Sequence, residues 1–307
     1  MQYYCTVMFS RLFVESGLSL DRLRALVEVG AAGSIARAAD NDPVRQSQYS
    51  RQIKELEDFF RARLIERQGR GSRLTASGRE LSRISRFFLL GLSNFQRGCL
   101  AAEQRFTVAA GASFIRQFLL PALSAPPLQG GGASYGVEVA GGQEIERRLH
   151  DLTLDFGVVE NAALSRPLQT RALGEWRLEL WAPKALRLSE ARAQQAFDRQ
   201  DLPLVLAGKE LESAGVRLSP GYEARLLCDS FLEARAALDG EKVAALLPAF
   251  LAPGKASRAF MRVHLPDIDA RVFHYYLVWN PRLLRLNPHA ARRRDRLAES
   301  LSRRLAG

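Results

Sequence analysis

Apolar positions recur at helical spacing through the first hundred residues and then in short blocks, so the pattern predicts helices first and alternating strands and helices later. Leu20, Leu23, Leu26, Val27 and Gly30 outline an amphipathic helix, with Ser19 placed to cap it and Asp21 in its first turn. Gly33-Ser34 stops that helix and caps a short one packed through Ile35, Ala38 and Ala39, whose small side chains let the next helix approach. Asn41-Asp42-Pro43 supplies a turn. From Pro43 the apolar positions Tyr49, Ile53, Leu56 and Phe60 form one stripe, and Ser47, Arg51 and Lys54 point away from it with Gln48 and Ser50 on the flanks. Leu64-Ile65 and Leu74 then suggest two short strands around Gly69-Arg70-Gly71. Thr75 is a cap for a long helix over 76–102, whose Leu81, Ile84, Phe87, Phe88, Leu92 and Phe95 are too apolar for a helix left in water.

After Arg105 the texture changes. Strands are expected at Phe106–Ala110, Tyr135–Ala140, Leu154–Val159, Trp176–Trp181, Leu202–Leu206, Ala224–Cys228, Val243–Leu247 and Tyr275–Trp279. Helices are expected at Ser113–Ala122, stopped at Pro121 and Pro126-Pro127, and at Gln143–His150 and Phe231–Leu238. Such β-α alternation implies mostly parallel sheets with helices on both faces.

Helix, short helix, turn and polar-faced helix follow one another as in a helix-turn-helix, and the strand pair after them reads as a wing. A Gln, Ser, Arg and Lys face offers the donors and acceptors that read base edges and grip phosphates, although a plain solvated face has the same composition. Arg67, Arg70 and Arg73 would lie on the wing.

Ala38-Ala39, Gln46, Ser50-Arg-Gln-Ile53, Leu56-Glu57, Leu64-Ile-Glu-Arg67, Gly69-Arg-Gly71 and Leu74-Thr-Ala-Ser-Gly78 resemble, in order, the signature of LysR-type transcriptional regulators. The resemblance covers roughly residues 18–100. It implies an α/β protein overall: an N-terminal winged helix-turn-helix (mostly α) at 18–75, a linker and dimerisation helix at 76–103, and a two-lobed α/β effector domain at 104–307 like a periplasmic binding protein. Lobe I would comprise 104–160 and 263–307 and lobe II 161–262, with 1–17 as an N-terminal extension and Met8 as an alternative start. Gln46, Ser47, Ser50 and Arg51 are implied as groove and phosphate contacts and Arg70 as the wing contact, and Arg45, Gln48, Lys54 and Arg73 join them on charge and position. Arg45 and Ser47 stand where the family usually has serine and proline, which bears on the operator sequence. Two local readings compete: Arg51 can pair with Glu55 at i, i+4, and Gln46 can cap its own helix.

The formal charge is +11, and from Arg45 to Arg97 twelve Lys/Arg face five Asp/Glu, a local excess of +7 that suits a polyanion. The implied partners are double-stranded promoter DNA bearing an interrupted palindrome and further copies of the chain, a homodimer through the linker helix and then a tetramer. The C-terminal Arg292-Arg-Arg294, Arg296 and Arg303-Arg304 read as the solvated side of a last helix with Leu297, Leu301 and Leu305 beneath. Cys5, Cys99 and Cys228 are too far apart in sequence for a CxxC pair, and the four His form no HExxH, so no metal and no cofactor is expected. Neither a membrane-spanning apolar run nor a signal peptide is seen, which points to the cytoplasm.

In open α/β sheets ligands sit beyond the carboxyl ends of strands. That rule selects Ser113, Gln143 and Ser230, each leading into a helix, together with Glu160 and Lys209, as the site of a small-molecule effector of anionic class. Helix capping explains the same residues. A regulator without an effector and an α/β enzyme fused to a DNA-binding domain are the alternatives. Against the enzyme, GxGxxG after a strand, GxxxxGK[ST] and GxSxG are all missing. His150 beside Asp151 and Cys228 beside Asp229 could be read as a Cys/His pair, and Cys228 as a redox sensor.

Overall fold

The helices of the N-terminal region start on capping side chains visible in the sequence. In the computed structural model, which describes residues 12, 17–68, 71–99, 104–126, 128, 133–216, 223–240, 242–254 and 257–306, the Ser19 hydroxyl accepts from the Arg22 N–H at 3.3 Å and opens α1 (Leu20–Ala32). Gly33 closes it at φ 79°, a left-handed conformation that suits glycine. Ser34 caps α2 (Ile35–Ala38) through the Arg37 N–H. Asp40 and Asn41 turn the chain at φ 51° and 62°. Asp42 then accepts from the Val44 N–H at 2.8 Å, with Pro43 as the first residue of α3 (Pro43–Phe60).

β1 (Ile65–Gln68) and β2 (Gly71–Leu74) form an antiparallel hairpin in which Ile65 faces Leu74. One Glu57 oxygen accepts from the N–H groups of Leu64 (2.7 Å) and Ile65 (3.1 Å), tying the end of α3 to the start of the hairpin. Thr75 accepts from the Gly78 N–H at 3.0 Å and donates to the Arg63 carbonyl at 2.7 Å, opening α4 (Ala76–Cys99). Leu23, Leu26, Val29, Ile53, Leu56, Leu64 and Leu74 close around one another as the core of this region. Each large apolar residue so buried contributes about 1.5–3 kcal/mol. Arg70 and nearly all of the expected extension lie outside the described residues.

Two compact units divide the chain, Met1–Leu100 and Ala101–Gly307. The second holds two five-stranded sheets. The first sheet is ordered β4-β3-β5-β12-β6, built from β3 (Gln104–Ala110), β4 (Ala133–Val139), β5 (Phe156–Val159), β6 (Gln169–Trp176) and β12 (Phe273–Trp279). The other is ordered β11-β7-β10-β8-β9, from β7 (Leu178–Pro183), β8 (Leu204–Ala207), β9 (Leu226–Cys228), β10 (Ala244–Pro248) and β11 (Phe260–Val263). The helices used below are α5 (Gly142–His150), α6 (Gly208–Ser213), α7 (Phe231–Asp239) and α8 (Pro288–Leu305).

Two sequence expectations need correcting. Trp176–Trp181 is two strands, not one, and Arg177 marks the passage between the sheets, so the first crossover lies at 177 and not near 160. The second crossover follows Val263, where β11 ends paired with β7, and the first sheet is re-entered at Phe273. The sheets are mixed: β4, β3 and β5 are parallel, but β12 runs antiparallel to both β5 and β6, since strands that arrive from the other lobe need not follow a β-α-β turn. The segment expected as a helix after β3 is helical from Ala112 to Leu123 with a π-helical turn at Ile115–Leu119, a wider ring just before a residue that has no N–H to donate.

Leu297 and Leu301 of α8 are buried as the pattern demands. Its arginines are not all solvated, however: Arg293 is buried near Tyr135, and Arg294 lies over the Trp279 ring at 4.8 Å.

Candidate DNA-binding face and inter-lobe site

On α3 the buried Ile53 and Leu56 face α1, which leaves Arg45, Ser47, Gln48, Ser50, Arg51 and Lys54 exposed and Gln46 half-buried. Several are already paired. Arg45 reaches Asp40 at 2.9 Å, and Arg51 reaches Glu55 at 3.1 Å while remaining 83% exposed. The hydrogen bond from Arg51, with Arg22 behind it, holds the Glu55 carboxyl below its usual range. Capping falls to Asp42 and not to Gln46. Arg73 bonds Glu66 across the hairpin at 2.6 Å. Exposed ion pairs of this kind hold side chains loosely, at about 0–1 kcal/mol, and yield to a phosphate. The α3 face is therefore a loosely held fringe of cations and amides on a helix fixed from beneath.

Between the lobes the structure distributes the expected residues unevenly. Glu160, Lys209 and Ser230 line a cavity of about 230 Å³ with Gly111, Ala112, Val139 and Val158. Gln143, Glu160 and Lys209 border a wider cleft of about 660 Å³. Ser113 borders neither; it is buried against Glu210, a residue the sequence did not single out. The Glu210 carboxylate accepts from the Ser113 N–H (2.9 Å), the Ser113 hydroxyl (2.6 Å) and the Phe231 N–H (2.7 Å). Its partners are 97 and 21 residues away in the chain, a separation that leaves no local signal. Ser230 caps α7 in a reciprocal capping box with Glu233, and Lys209 pairs with Asp229 at 2.6 Å. The donors expected to take an anionic ligand are thus held by the chain's own carboxylates at Ser113 and Lys209. Desolvation pushes the Glu160 carboxyl up to about 7, opposed by its own backbone N–H and assisted by repulsion from Glu210.

The Cys/His reading separates. His150 bonds the Ser165 hydroxyl at 2.7 Å, while the Cys228 thiol donates to the carbonyls of Leu206 (3.3 Å) and Ser230 (3.4 Å). Burial pushes that thiol up to about 11, with Glu233 next in effect, so it stays protonated at neutral pH and is a poor nucleophile or peroxide target.

Known families place this arrangement. Residues 20–79 match the profile described as "Bacterial regulatory helix-turn-helix protein, lysR family", and residues 101–302 match "LysR substrate binding domain". The chain belongs to the LysR family. As such it is a DNA-binding transcriptional regulator with a two-lobed α/β substrate-binding domain. Solved LysR-type structures share the fold at low identity. A full-length OxyR from Pseudomonas aeruginosa, carrying a single Cys-to-Asp substitution, superposes with a TM-score of 0.61 at 16% identity, covering 92% of this chain and 94% of that one. Full-length LysG from Corynebacterium glutamicum with bound effector Arg gives 0.58 at 18%, covering 94% and 98%. Full-length CbnR complexed with its target DNA gives 0.53 at 17%, covering 94% and 100%. A search of curated protein sequences found no match. Among the described residues no helix is long and apolar enough to cross a membrane.

Proposed function

We propose that this LysR-family regulator reads an interrupted palindrome in promoter DNA through Arg45, Gln46, Ser47, Gln48, Ser50, Arg51 and Lys54, with Arg70 and Arg73 of the wing on the backbone. The observation that carries this reading is the α3 face: its apolar stripe is buried while its Ser, Gln, Arg and Lys side lies open to solvent. CbnR, which shares the fold, is known in complex with target DNA. The cytoplasm, where that DNA lies, is the compartment.

Two copies are joined through α4. Ile84, Phe88, Leu92 and Phe95 make one stripe along it and stay 42–73% exposed in the single chain, a cost that a partner helix removes. A dimer presents two reading helices to two half-sites, and a pair of dimers gives a tetramer. The cavity of Glu160, Lys209 and Ser230, with Gln143 at the adjoining cleft, holds the small-molecule effector; LysG, which shares the fold, is known with bound effector Arg. The role is regulation and not catalysis: a ligand that prefers one placement of the lobes shifts the DNA-binding equilibrium by its differential affinity, and DNA shifts ligand affinity by the same factor.

The test is retrieval of sheared genomic DNA from the source organism on the purified protein, followed by a salt titration of the strongest fragment. One enriched interrupted palindrome with affinity falling steeply in salt is expected. Arg51→Ala should weaken that binding by about 1–3 kcal/mol. Uniform weak retrieval, or an Arg51→Ala variant as tight as the wild type, would count against the reading.

A further inference from the structure

The lobes already share an occupant. Glu210 rises from α6 in the lobe of the second sheet, and both its oxygens are used: one by the Ser113 N–H, the other by the Ser113 hydroxyl of the opposite lobe and the Phe231 N–H of its own. Glu210 is 8% exposed, and Ser113 1%. Gly111 completes the seat, since a Cβ there would lie 2.9 Å from the same Glu210 oxygen that takes the Ser113 N–H. A residue larger than glycine would displace the carboxylate. These are the features of a built carboxylate site: converging donors at 2.6–2.9 Å, little solvent, and a wall cut back to make room.

We propose that Glu210 is a resident ligand: the chain's own carboxylate fills a carboxylate-binding seat between the lobes and holds them together without a small molecule. The contact itself does not depend on the effector reading above; its regulatory consequence does. A small carboxylate acts at this seat only by displacing Glu210, so the effector either competes with that side chain or uses the cavity beside Glu160. The lobes of the regulator are therefore held in one arrangement before any effector arrives.

Removing the side chain beyond Cβ deletes a CH2–COO⁻ fragment, for which acetate is the matching probe. Thermal unfolding of the full-length protein is followed for wild type, Glu210→Ala and Glu210→Gln in chloride and in acetate of equal ionic strength and pH. Glu210→Ala should melt lower in chloride by roughly 4–10 °C. Acetate should restore at least half of that loss and saturate, while moving the wild type and Glu210→Gln, whose seats are filled, by less than about 1 °C. A Glu210→Ala variant that melts with the wild type, or one that acetate restores no better than chloride, overturns the proposal. A double-mutant cycle of Ser113→Ala with Glu210→Gln tests the same contact even where the alanine variant fails to fold. The double variant should melt no lower than its weaker parent, and fully additive losses overturn the proposal. No DNA enters either measurement, so their failure is separate from a failure to find an operator.

Discussion

Position 78 has no room for a side chain: a Cβ would lie 2.1 Å from the Leu64 carbonyl oxygen, where α4 passes over the base of the hairpin. Gly78→Ala should therefore cost about 2–4 kcal/mol of stability in the N-terminal unit, measured as a lower urea midpoint with unchanged slope. Glu160 gives a second prediction, in pH. Its folded pKa of about 7 lies above the ordinary 4.5, so the neutral form is favoured in the folded protein. The stability this supports is full below about pH 4.5, falls as pH rises through 7, and is lost above it. Wild type should lose on the order of 2–3 kcal/mol between pH 5 and 8 from this group, and Glu160→Gln should flatten that slope. Equal slopes would show that some other group titrates. In the sequence, Gly78 stands out only as part of a motif and Glu160 only as a strand end. What constrains them is an atom more than ten residues away in one case and the polarity of a cavity in the other.

At the scale of elements, periodicity and caps carry most of the information. α1, α3 and α4 follow their apolar stripes and their Ser19, Asp42 and Thr75 caps, because helix hydrogen bonds and caps are local in sequence. The stripe on α4 leads to a prediction. Phe88 is 48% exposed in the single chain, so Phe88→Glu should leave the fold intact and weaken self-association, by about 10-fold or more if the ring is buried in the dimer. Sedimentation velocity should show a smaller species at low micromolar concentration, and an unchanged mass would argue against α4 as the dimer helix. Strands were less legible. Trp176–Trp181 has the composition of one continuous strand, and nothing local marks Arg177 as the place where the chain changes sheets.

In the whole second unit the lobes are joined by an apolar contact as well as by Glu210. Trp176, at the crossover, stacks on Phe273 and Tyr275 of its own sheet at 4.7 and 5.5 Å and lies 6.0 Å from Phe231 and 6.3 Å from Phe250 of the other lobe. Core residues of both sheets, such as Val108 and Ala245, belong to one continuous cluster. Hydrogen exchange on the full chain should therefore find amides of β3 and β10 opening together, with protection falling in both on Trp176→Ala. If β3 lost protection while β10 kept it, the lobes would be independent.

By itself the sequence determined the order of helices, their caps, the cationic face of α3 and the family they spell out, since each rests on spacings of a few residues. The tertiary structure alone decided where the chain crosses between sheets, that Ser113 is taken by Glu210, that Lys209 is paired with Asp229, and that the Cys228 thiol bonds backbone carbonyls while His150 bonds Ser165. Those outcomes depend on groups brought together from far apart in the chain, 97 residues for Ser113 and Glu210, and on the loss of water around them, neither of which is written in local spacing.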